Sequence, residues 1–138
     1  MRGLTAVMTV AIGAAAILGG PAPSAAAEKT ISAAALAARL DGPAPPAVLD
    51  VRSPEEVAEG HLPGAVAMPH DQVPARLAEL GAPREIVLYC RSGRRARLAG
   101  ESLEAAGFDV VYLEGDYPGW AAAGRPVERG AAAAPSGR

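Results

Sequence analysis

Between Thr30 and Val127 short apolar runs alternate with stretches whose apolar residues recur every three or four positions. Ala47–Val51, Ala65–Met68, Glu85–Tyr89 and Phe108–Leu113 have strand length, Thr30-Ile31 forms a further short strand, and the run EIVLY over 85–89 is the most strand-like. Ser32 is placed to cap a helix over Ala33–Leu40, with Leu36 and Leu40 on one face. Ser53-Pro54-Glu55-Glu56 reads as a helix start: a cap, proline at the first helical position, and acids in the first turn. A proline-containing helical segment is predicted over Asp71–Leu80, broken by Gly81-Ala82-Pro83. A helix from about Arg95 to Ala106 carries Leu98 and Leu103 inward and ends at Gly107. A short helix follows around Tyr117–Ala123, with Trp120 packing inward. Asp41–Pro46 is a loop and Gly60–Gly64 a turn. Strands alternating with helices predict an α/β fold, a mainly parallel central sheet with helices on both faces. Functional loops then lie at the carboxyl ends of the strands.

The two ends of the chain do not share this pattern. Arg2 precedes an uncharged, mostly apolar run from Leu4 to Gly20; Pro21–Ser24 breaks it, and Ala25-Ala26-Ala27 supplies small residues. That order predicts a secretory signal over 1–27, cleaved before Glu28, and hence an exported protein, periplasmic or extracellular. The rival is an uncleaved membrane anchor, for which the run is short and weakly apolar. From Glu128 to the end, ERGAAAAPSGR lacks periodicity and is expected to be a disordered tail over 128–138. One domain is left, over 28–127.

A chain of 138 residues with net charge −2 suits one modest core; loss of Arg2 with the signal takes the charge to −3. The balance is mildly acidic and excludes a broad nucleic-acid surface, so the basic charge that exists is local. The expected partners are small molecules, with no nucleic acid, no membrane after signal cleavage, and a monomeric state. No cluster of ligand residues implies a metal or an organic cofactor. The single cysteine, Cys90, cannot form an internal disulfide. Exported proteins generally use cysteines in pairs, so a lone thiol is a buried inert one, an intermolecular link or a working nucleophile.

Its neighbours favour the last. Cys90-Arg91-Ser92-Gly93-Arg94-Arg95 lies where a strand stops and a helix begins. Gly93 lets the backbone curl tightly, and a curled loop entering a helix aims N–H groups at one point, reinforced by the helix dipole. Arg94, Arg95 and Arg97 sit at a helix N-terminus, where the dipole disfavours cations. Their presence makes sense around a bound anion. Arg91, Ser92, Gly93, Arg94 and Arg95 are therefore the candidate substrate-binding residues around the nucleophile Cys90.

Three segments together resemble a single-domain rhodanese, a sulfurtransferase module, over nearly all of residues 30–127. They are VLDVRSPEEVAEGHLPGAVAMP at 48–69, VLYCRSGRRA at 87–96 and AGFDVVYLEGDYPGW at 106–120. The resemblance implies that Cys90 attacks the outer sulfur of a donor such as thiosulfate, releases sulfite and becomes a persulfide. A thiophilic acceptor, cyanide in the usual assay, then takes the sulfur. It also implies that Arg95 helps fix the loop and that Arg91 draws in anionic donors. Asp50, Arg52 and His61 match family positions with structural roles near the site, and Trp120 belongs to the core.

Where the family often has paired glycines, this chain has Gly115-Asp116. The added carboxylate either repels anionic donors or selects an acceptor at the mouth, or it is a solvated turn residue. Two other functions use the same fold or thiol: a non-catalytic binding or redox-sensing module, and a phosphatase. The related phosphatases place arginine after five intervening residues; here only four separate Cys90 from Arg95, and the phosphatase position holds Ala96. A ring this short suits a small sulfur anion better than a phosphoryl group.

Overall fold

The computed structural model describes residues 27–135. The expected export signal lies outside the described residues apart from Ala27, and so do the last three residues of the expected tail. Five strands, β1 (Lys29–Ile31), β2 (Ala47–Asp50), β3 (Val66–Ala67), β4 (Glu85–Tyr89) and β5 (Asp109–Leu113), form one sheet in the order β1-β5-β4-β2-β3. Every pairing is parallel. Helices α1 (Ala33–Leu40), α2 (Pro54–Glu59) and α3 (Arg94–Ala105) connect β1 to β2, β2 to β3 and β4 to β5, and α4 (Asp116–Ala122) follows β5.

The period-two alternation of the central strands sorts side chains onto two faces. Leu49, Ile86, Leu88 and Cys90 pack with Ala96, Ala99 and Leu103 of α3 on one side. Val48, Val87, Tyr89 and Val111 pack with Leu36 of α1 and Trp120 of α4 on the other. Cys90 continues the alternation of β4 by one residue, which carries its side chain to the α3 face. Trp120 is buried as expected and donates its indole N–H to the Pro126 carbonyl at 2.8 Å. Among the described residues no helix is long and apolar enough to cross a membrane.

Three expectations need correction. Leu98 is 47% exposed, and the inward stripe of α3 is Ala96, Ala99, Gly100 and Leu103. Residues five apart on a helix are about 140° apart around its axis, so Leu98 and Leu103 cannot share a face. The segment over Asp71–Leu80 forms two short 3₁₀ turns, His70–Gln72 and Leu77–Leu80, rather than one helix. Pro74 between them has no N–H to continue a ladder. Residues 128–133 do not trail free: His61 and Glu128 exchange both backbone hydrogen bonds at 2.9 Å, and Gly130 N–H reaches Ala58 O at 2.9 Å. Val66 and Ala133 form a parallel bridge. Backbone pairing holds this segment, and hydrophobic periodicity does not report such pairing.

Candidate active site

The site forms where β4 ends. After Tyr89 the chain bends through Arg91 and Ser92 and enters α3, whose N-cap is Gly93 at φ +92°. That torsion favours glycine, and a Cβ on Gly93 would also push aside Nη1 of Arg97, 2.4 Å away. The bend turns the Gly93 N–H back to donate to Cys90 Sγ at 2.9 Å. The first N–H groups of α3 have no acceptor within the helix and face the same region. Sulfur, donor and dipole coincide, as a thiol acting as an anion requires. Cys90 is fully buried, whereas Arg91, Ser92 and Arg94 are exposed, so the loop turns its sulfur inward and its charge outward.

The sequence grouped Arg91, Arg94 and Arg95 as cations for a substrate, and the structure separates them. The side chains of Arg91 and Arg94 are exposed and make no hydrogen bond or ion pair among the described residues, which leaves them free to attract an anion. Arg95 instead grips Glu56 of α2 with two bonds, Nη1–Oε1 at 2.7 Å and Nη2–Oε2 at 3.0 Å. It acts as a brace between α3 and α2. Glu56 also closes the capping box of α2 with Ser53. In the sequence Glu56 is legible only as a helix-start acid, because its partner lies 39 residues away.

The Arg95 hydrogen bonds, opposed by partial burial, hold the Glu56 carboxyl down at about 2. A depressed carboxylate contributes stability that is complete above its unfolded pKa, near 4.5, and is lost as pH falls through the folded value. Glu56→Gln is therefore expected to cost on the order of 1–2 kcal/mol at neutral pH, allowing for screening of a partly exposed pair. Urea unfolding at several pH values should show that deficit narrowing between about pH 4.5 and pH 2.

Asp50 and Arg52 lie behind the loop, not in it. Asp50 at the end of β2 is fully buried and accepts bonds from Arg52 N at 3.0 Å, Nε at 3.0 Å and Nη2 at 2.6 Å. Arg52 Nη2 also donates to Gly60 O at 2.7 Å, and the guanidinium lies 4.1 Å from the centre of the Tyr117 ring. Burial works against the Arg52 charge, but Asp50's hydrogen bonds and charge prevail and raise its pKa. Burial, with the charge of Asp50, pushes the Tyr89 phenol upward. Tyr89 Oη accepts the Leu62 N–H at 3.0 Å. His61 is buried, with its Nδ1 donating to Val57 O at 3.0 Å, which is a structural placement.

The structure gives Arg97 and Asp116 partners that the sequence did not specify. Arg97 brackets the loop from α3: Nη1 donates to Gly93 O at 3.1 Å, while Nε and Nη2 bind Glu28 at 3.2 and 3.1 Å. Asp116 is no solvated turn residue. Its Oδ1 accepts the Cys90 N–H at 3.0 Å, and the next N–H, of Tyr117, donates to Cys90 O at 3.0 Å. A cleft of about 320 Å³ beside the loop is lined by Arg52, Glu56, Glu59, Arg91, Tyr117 and Pro118.

Residues 32–123 match the family described as "Rhodanese-like domain". A sulfurtransferase of Allochromatium vinosum is 37% identical over 81 residues, 58% of this chain and 76% of that protein. The crystal structure of a rhodanese-like domain protein from Staphylococcus aureus superposes with a TM-score of 0.66 at 32% identity, covering 75% of this chain and 99% of that one. A thiosulfate sulfurtransferase from Pseudomonas aeruginosa is similar at 36% identity and TM-score 0.65, over 75% of this chain but 20% of that one.

Proposed function

The chain belongs to the rhodanese-like domain family, and from that membership we propose that it is a sulfurtransferase working through a persulfide on Cys90. The donor is thiosulfate or a similar sulfane-sulfur compound, and the acceptor is thiophilic, with cyanide serving in an assay. The observation that carries this reading is the Gly93 N–H donated to Cys90 Sγ at the N-terminus of α3. The sulfurtransferase name of the Allochromatium vinosum relative supports it.

In the first half-reaction the Cys90 thiolate attacks the outer sulfur of thiosulfate. The new S–S bond forms on Sγ, the old one breaks with its electron pair on sulfite, and the total charge is unchanged. The persulfide carries its charge one atom further out, toward the α3 N-terminus and the exposed Arg91 and Arg94. Preorganised N–H donors and cations serve both anions without rearrangement, which keeps the two steps close in energy. Cyanide then takes the outer sulfur as thiocyanate and returns the thiolate.

Intact-mass spectrometry tests this directly. Thiosulfate should add one sulfur atom to the wild type, and cyanide should remove it with equimolar thiocyanate. A folded protein with a free thiol that gains no sulfur would rule out thiosulfate as donor. We further propose export through residues 1–27 and a monomeric product. The β1–β5 register begins at Lys29↔Val111, so a cut before Glu28 leaves every described element intact. N-terminal sequencing of the protein from fractionated cells checks the cut.

A further inference from the structure

Asp116 stands out in backbone, contact and charge. It is the one non-glycine residue with positive φ, +52°, among the described residues. That conformation is uncommon outside glycine, asparagine and aspartate, and it places the first two residues of α4 on both peptide groups of Cys90. While Oδ1 takes the Cys90 N–H, Oδ2 faces Gly93, 3.3 Å from the point a Cβ there would occupy. A half-buried carboxylate thus lies across the loop whose Gly93 N–H holds the sulfur.

The cations near it differ in reach. Arg97 is closest to Gly93 but already shares its charge with Glu28. Arg91 and Arg94 are exposed, so solvent and salt screen them. Arg95 is paired with Glu56, and among these charges the Asp116 carboxylate is the one bonded to the Cys90 amide itself, at 3.0 Å.

Building on the sulfur-transfer reading above, we propose that Asp116 sets the charge of the sulfur donor. It disfavours dianionic thiosulfate relative to monoanionic donors, of which organic persulfides are the natural class. With a persulfide R–S–S⁻ the Cys90 thiolate takes the terminal sulfur, the R–S···S bond breaks, and the thiolate R–S⁻ leaves. Two negative charges meet at the site rather than the three of the thiosulfate reaction. Asp116 touches no reacting atom in this scheme; it positions Cys90 and acts on the donor through charge.

The test compares thiosulfate with methanethiosulfonate, a monoanion that gives up its outer sulfur and leaves as methanesulfinate. kcat/KM is measured for both donors with cyanide as acceptor, for the wild type, Asp116→Asn and Asp116→Gly, at low and high ionic strength. Asparagine tolerates the same φ and its amide oxygen still accepts the Cys90 N–H; glycine removes the charge by a different route. Removing one charge at this range is expected to raise kcat/KM about threefold for the monoanion and about tenfold for the dianion. The thiosulfate preference then rises about threefold in both variants, and less at high salt. A loop merely loosened by mutation would slow both donors alike. If the wild type accepts sulfur from both donors and neither variant changes their ratio, the assignment of Asp116 is overturned and sulfur transfer stands. If neither donor sulfurates the wild type, both readings fall.

Discussion

Cys90→Ser is expected to fold as the wild type does and to take up no sulfur from any donor. The side chain is fully buried against the α3 face, and serine nearly matches its volume. The Gly93 N–H that meets Sγ at 2.9 Å would meet Oγ instead, so the loop keeps its bond. Chemistry is lost because a serine hydroxyl is barely ionised at neutral pH and an S–O product has no counterpart to the persulfide. Thiocyanate formation should fall at least ~10³-fold, to the uncatalysed background. Intact mass after thiosulfate, with unfolding curves alongside, distinguishes loss of nucleophile from loss of fold. A variant that still gained a sulfur would place the chemistry on another group.

The largest expected stability loss belongs to Arg52→Met. Asp50 is fully buried and accepts four hydrogen bonds from Arg52, one from the backbone N–H and three from the guanidinium. Methionine leaves the backbone N–H bond but strands a buried carboxylate without its counter-charge, a change worth about 3–5 kcal/mol. That is a large share of the ~5–15 kcal/mol that holds a domain together. The Gly60 carbonyl and the Tyr117 ring lose the guanidinium as well. Tyr117 N–H holds the Cys90 carbonyl, so sulfur transfer should weaken along with stability. Asp50→Asn combined with Arg52→Met should regain most of the loss, since a buried ion pair replaced as a unit costs little. Urea unfolding of the two variants beside the wild type measures both quantities. Equal instability of single and double variants would show that Arg52 acts through packing and not through charge.

Residues whose partners are near in sequence were legible. Ser53-Pro54-Glu55-Glu56 starts α2 with its capping box, because that motif closes within one turn. EIVLY at 85–89 forms β4, and the residue after it is the buried thiol. Leu98 points outward because the helical period does not let it share a face with Leu103, and alanine and glycine fill the α3 stripe. Small residues there let α3 approach the sheet closely, and a count of large apolar residues misses them.

The sequence by itself determined the parallel α/β class and the position of Cys90 between a strand and a helix. These follow from local torsion preferences and from periods of two and 3.6 residues, which any short window of chain carries. Only the tertiary structure decided what each charged group near Cys90 does. Arg95 braces Glu56 across 39 residues, Arg97 reaches Glu28 across 69, and Asp116 takes the Cys90 N–H across 26. A hydrogen bond forms or fails within a few tenths of an ångström, and that distance is set by how the elements pack, not by the spacing of residues along one of them.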